Sequence, residues 1–121
     1  MGKENGGLAQ KIVWEVGTDL VKVNDLLKTY EGYSIRLWSY QPSLSRLELR
    51  IDRGASGNFH LKFCSVDTVI IPRIHWHLNG RIERETDHEM RGTYLFRDEA
   101  SGVRIVSGPI RLEENVEPFY A

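Results

Sequence analysis

Apolar residues along this chain recur first at helical and then at strand spacing. Leu20, Val23, Leu27 and Tyr30 follow one another at three- and four-residue intervals, while Asp25, Lys28 and Glu31 fall elsewhere on the wheel. That spacing puts one apolar stripe on a helix. Thr18 or Asp19 offers an N-cap oxygen and Gly32 a stop, so an amphipathic helix of about three turns is predicted between them. Upstream, Ile12, Trp14 and Val16 alternate, which predicts a short edge strand.

From Tyr33 onward the period is two. Tyr33, Ile35 and Leu37 alternate with Ser34, Arg36 and Trp38 before Pro42 breaks the run. Leu47, Leu49 and Ile51 alternate with charged residues, the pattern of a half-buried strand. The glycine-rich stretch 53–57 reads as a hairpin loop. Phe59, Leu61 and Phe63 then alternate with His60, Lys62 and Cys64. After a turn at Asp67-Thr68, the apolar residues from Val69 to Leu78 read as one long strand. Pro72 interrupts it and marks an edge or a bulge, because proline has no amide to donate. Asn79-Gly80 is a turn signal. Residues 93–96 form another strand, and Asp98 to Gly102 a second hairpin loop. Residues 103–106 and 110–112 read as one final strand bent at Gly108-Pro109. The reading is a mainly β (α+β) chain. Six to seven strands form an antiparallel meander, closed into a barrel or folded into a sandwich, with one short N-terminal helix. Residues 1–7 read as a disordered leader, 8–113 as a single β-rich domain and 114–121 as a loose tail.

Composition narrows the function classes. The 121 residues suit one domain. Sixteen basic residues against 17 acidic give a net charge of -1. That balance disfavours nucleic acid and anionic membranes as partners. No apolar run approaches the ~20 residues of a membrane span, and the N-terminus lacks the apolar core of a signal peptide. Cys64 is the single cysteine, so no disulfide framework forms within the chain. These features predict a cytoplasmic protein.

Three groups of side chains could carry chemistry. His75 and His77 leave the same face of a strand, and His60 would face them if the two strands paired about Asp67-Thr68. Three imidazoles in one place are a metal-ligand set. Lys62 and Arg73 on that face oppose a cation, however, and no paired-cysteine signature accompanies them. Arg36, Trp38, Arg46 and Arg50 mix guanidinium groups with an aromatic ring, a combination that grips anionic or planar groups. Glu48 and Asp52 interleave with them, so cross-strand ion pairs are the simpler account of the arginines. The charged segment Glu83, Arg84, Glu85, Asp87, His88, Glu89 and Arg91 has the residues for acid-base work but no catalytic order, and reads as a solvated hairpin tip. Cys64 would need His60 as a base to act as a nucleophile. No phosphate loop, dinucleotide fingerprint or nucleophile elbow is present, so no cofactor is implied. The sequence therefore points to a non-enzymatic binding or interaction module. It would use an exposed sheet face or barrel mouth to engage a protein partner or its own copy. The alternative is a small-ligand or metal-dependent activity at His60, His75 and His77.

Overall fold

A computed structural model describes residues 11–52, 58–85 and 93–116. Ten strands and one helix make up this part of the chain. The order is β1 (Ile12–Glu15), α1 (Val16–Thr29), β2 (Ser34–Gln41), β3 (Arg46–Ile51), β4 (Asn58–Phe63), β5 (Thr68–Ile70), β6 (His75–His77), β7 (Gly80–Arg84), β8 (Tyr94–Asp98), β9 (Val103–Ser107) and β10 (Ile110–Val116). They form two open antiparallel sheets, ordered β1-β10-β4-β3-β2-β6 and β5-β9-β8-β7. The arrangement is a sandwich, with no closed barrel.

The period-two alternation sets the core. Leu49, Ile51, Phe59, Leu61 and Phe63 of the larger sheet are buried, as are Ile82, Phe96 and Ile105 of the smaller one. Phe63 meets Phe96 edge to face across the sandwich, with ring centroids 5.9 Å apart. Each fully buried ring or branched chain contributes roughly 1.5–3 kcal/mol relative to exposure. The helix lies against β1, β10 and β7, burying Val16, Val23 and Leu27. It thereby closes the side where the two sheets would otherwise part. Asn24 adds a polar contact to this packing. Its side chain donates to the Ile82 carbonyl (2.9 Å) and accepts from the Ile82 amide (2.8 Å), so it pairs with the outer edge of β7 as a strand would.

Several expectations require correction. The helix begins at Val16, before the expected cap, and Asp19 instead has non-helical dihedrals inside it. The start signal at Thr18-Asp19 thus corresponds to a kink. The two long strands are each split between sheets. Residues 69–78 supply β5 to one sheet and β6 to the other, and residues 103–112 supply β9 and β10 likewise. Pro72 and Pro109 sit at these crossings. Without an amide donor a proline cannot continue a ladder, and the chain leaves the sheet there. Gly80 is the first residue of β7 and belongs to no turn. A Cβ there would lie 2.7 Å from the Phe96 ring, so only glycine lets that buried ring pack against the strand. β10 continues to Val116, so residues 114–116 belong to the domain and not to a loose tail. Among the described residues no helix is long and apolar enough to cross a membrane.

The sheets are tied together by Asp98, which is fully buried. One carboxylate oxygen accepts from the Trp76 indole (3.2 Å) and the Asn79 amide (2.7 Å), and the other from the Ser101 amide (3.2 Å). β6 of one sheet and the β8–β9 hairpin of the other therefore share one acceptor group. Asp98→Ala strands three donors, two of them outside its own hairpin, and is expected to cost about 3 kcal/mol. Gly80→Ala is expected to cost about 1–3 kcal/mol by forcing the Phe96 ring aside. Urea denaturation of each variant measures both.

Candidate functional site

Residues directly opposite in an antiparallel ladder share a face. The registers Glu113↔His60, His60↔Arg50, Arg50↔Arg36 and Arg36↔His75 therefore trace one row across five strands. The sequence neighbours Leu61, Leu49 and Ile35 are buried in the core, which puts this row on the outer face of the larger sheet. A second row beside it runs Glu15↔Arg111, Arg111↔Lys62, Lys62↔Glu48 and Glu48↔Ser39.

A bulge places the aromatic member. Register passes from Leu37↔Leu49 to Ser39↔Glu48, leaving Trp38 as the extra residue. Trp38 and Ser39 together oppose Glu48, so both stand on the outer side. The indole remains 41% exposed. The Arg50 guanidinium lies 4.2 Å from its ring centroid and that of Arg36 5.3 Å. Arg50 is only 4% exposed. It donates to the Asn58 amide oxygen once that amide is oriented to face it. Two arginines set opposite one another repel; the shared aromatic face and the amide oxygen offset this.

Arg46 stands apart from this group. It is four residues from Arg50 along β3, about 13 Å at strand rise, opposite Gln41. It borders a groove of about 500 Å³ that Glu48, Lys62, Cys64, Arg111 and Glu15 also line. Of the four expected ligand-binding residues, the fold thus brings Arg36, Trp38 and Arg50 together and sets Arg46 at the margin.

Carboxylates knit the two rows. Glu48 accepts from His60 Nδ1 at 2.9 Å. That hydrogen bond holds the Glu48 carboxyl below the usual 4.5, against the opposing effect of burial. Glu113 receives Lys11 (3.2 Å) and Lys62 (3.3 Å). Burial pushes its carboxyl up, and the two lysines outweigh this and bring it below 4.5. Lys62 stands directly opposite Glu48 and diagonal to Glu113.

The histidine set does not assemble. β4 pairs with β3 and β10, whereas β6 pairs with β2. Three strand intervals, about 14 Å, therefore separate His60 from His75. His75 Nε2 instead meets the Ser34 hydroxyl at 2.5 Å. Among the described residues no group of three His, Cys, Asp or Glu side chains gathers. Cys64 lies about 13 Å along β4 from His60, whose Nδ1 is held by Glu48, so no cysteine–histidine pair forms. In the charged segment, Glu83 takes Arg97 (2.7 Å) and Arg81 (3.4 Å), and Arg84 donates to the Gly17 carbonyl. Asp87, His88, Glu89 and Arg91 lie outside the described residues.

Sequence reasoning did not single out the Glu48, Lys62 and Glu113 network. The opposite charges at Glu48 and Lys62 on neighbouring alternating strands were its available signal. Comparison with family models, with characterised proteins and with solved structures finds no match to this chain.

Both carboxylates bind protons less readily in the folded chain than in the unfolded one. Their stabilisation is therefore complete above the ordinary value of 4.5 and is lost as pH falls through the lower folded values. Urea midpoints measured between about pH 6 and about pH 3 are expected to fall with acidification. The fall should be shallower in Glu48→Gln and in Glu113→Gln.

Proposed function

We propose that this chain is a non-enzymatic binding module. It engages an acidic segment of a partner protein across the outer face of its larger sheet. Arg36 and Trp38 form the anchor, with the buried Arg50 guanidinium holding the indole in place, and Arg46 and Lys62 extend the cationic surface along the groove. The observation that carries this reading is the bulge at Trp38, which holds a half-exposed indole against two guanidinium groups. Tryptophan and arginine are the residues that most often dominate binding energy at protein interfaces. An indole already held against Arg50 loses little conformational freedom on binding, which favours affinity.

Charge selects the class of partner. Glu15, Glu48 and Glu113 interleave with the cations, and the chain as a whole carries -1. A continuous polyanion such as nucleic acid suits that mixture less well than a protein segment with spaced carboxylates. A second copy placed face to face would set Arg36 and Arg50 against their own kind. No observation favours the histidine-centred alternative, since His60 stands three strands from His75 and His77. A cytoplasmic setting goes with this reading, because the free thiol of Cys64 is exposed and stays reduced in a reducing compartment.

The test is selection from a display library of acidic peptides, followed by titration of purified winners monitored by calorimetry. Winners are expected to carry spaced aspartate or glutamate and to bind more weakly as salt rises. Trp38→Ala and Arg36→Glu are each expected to weaken binding about tenfold or more. Winners that bind both variants as well as the original protein would contradict the proposal, as would a selection without winners.

A further inference from the structure

Among the described residues the larger sheet ends at β6, and one side of this strand has no strand partner there. Leu37 donates its amide to Ile74, and Leu78 donates its amide to Tyr33. The even-numbered residues of this segment therefore direct their main-chain groups toward β2. By alternation, the N–H and C=O of His75 and His77 point away from β2, to the open edge. The edge of β7 offers a contrast, because the Asn24 side chain occupies it at Ile82.

The space beside β6 is a cleft of about 600 Å³. Pro72, Arg73, His75, Trp76, His77 and the turn residues Ala100 and Ser101 line it. Arg73, His75 and His77 are exposed, and no carboxylate is among the lining residues. Trp76 is nearly buried on the inner side of the strand, tied down by Asp98. The cleft thus combines an unpaired main-chain edge, cationic or protonatable side chains on the outer side and an aromatic residue on the inner side.

We propose that β6 accepts a short extended segment of a partner protein as an additional strand, with acidic residues at the positions facing His75 and His77. Each of these histidines presents one main-chain donor and one acceptor at strand spacing, and an extended peptide backbone satisfies both at once. Peptide residues directly opposite His75 and His77 project onto the outer face beside the two imidazoles, with Arg73 at the rim. The peptide residue between them points inward over Trp76 and is apolar. The expected pattern is acidic, apolar, acidic. This site goes beyond the outer-face reading and stands without it, since none of its residues belongs to the Trp38 anchor.

An acetylated and amidated hexapeptide alternating glutamate and valine is the probe, titrated into isotopically labelled protein with amide chemical shifts as readout. Saturable shifts are expected at Arg73, His75, His77 and Ser101. N-methylation of the probe's glutamates removes its strand-pairing donors and is expected to weaken binding about tenfold or more. His77→Pro removes an outward donor without touching the ladder to β2 and is expected to do the same. In Trp38→Ala the shifts at His75, His77 and Ser101 are expected to saturate at the same probe concentration as in the original protein, which separates this site from the outer-face anchor. Three outcomes would overturn the proposal: no saturable shift at His75 and His77 by about 1 mM probe, equal shifts there with the N-methylated probe, or shifts at Arg36 and Trp38 with none at His77 and Ser101. Concentration-dependent shifts at His75 and His77 without peptide, accompanied by dimerisation, would assign the edge to a second copy and overturn it also. If His77→Pro does not fold, the N-methylated probe decides alone.

Discussion

One buried carboxylate links the two sheets at their seam. Asp98 receives the Trp76 indole from the larger sheet's edge strand, the Asn79 amide from the residue that precedes β7, and the Ser101 amide from its own hairpin. A buried carboxylate without partners would be very costly. With three donors converging on it, the group is stable only where β6 and the β8–β9 hairpin meet. Hydrophobic burial drives the sandwich together but fixes no relative placement of its layers at the seam. The Asp98 contacts supply that placement. They set Trp76 against the core and leave His75 and His77 on the outer side of the last strand.

The surface chemistry depends on this arrangement. With one face of the larger sheet committed to the core, the charged residues of β2, β3 and β4 appear on the other. The ladder then brings them into rows across strands that are far apart in sequence. Glu113 and His60 are neighbours because β10 lies next to β4, not because of any local pattern. The bulge at Trp38 adds an aromatic platform where strict alternation would have placed one residue in the row instead of two. The result is a polar face with a stacked cationic centre, bounded on one side by a groove and on the other by an open edge.

The strongest alternating segments were legible from the sequence. Leu47, Leu49 and Ile51, and then Phe59, Leu61 and Phe63, form β3 and β4 as their spacing requires, and each buries the expected face. The helix was legible for the same reason, because Val23 and Leu27 are both core residues. The division of residues 69–78 between two sheets was not legible. Apolar spacing reports which residues are buried, not which sheet buries them, and Pro72 was compatible with a bulge or with a crossing. Of the candidate site, the company of Arg36, Trp38 and Arg50 was visible as two adjacent polar faces. Trp38's place over Arg50 depends on a one-residue bulge, which carries no sequence signal here. The histidine cluster failed as a reading because it required β4 to pair with the strand that follows it in sequence. Asp98 was visible as the start of a hairpin loop, a role it fills through the Gly102 and Ser101 amides. Its second role, toward Trp76, depends on a contact between the sheets.

Asp98 is the lock between the layers, and hydrogen exchange at its donors tests this directly. If the lock holds, the Asn79 and Ser101 amides and the Trp76 indole N–H exchange only through global unfolding. Their free energies of opening then match those of the core amides in β3 and β4. Exchange of these three protons far faster than the core, through local opening of the seam, would contradict the account.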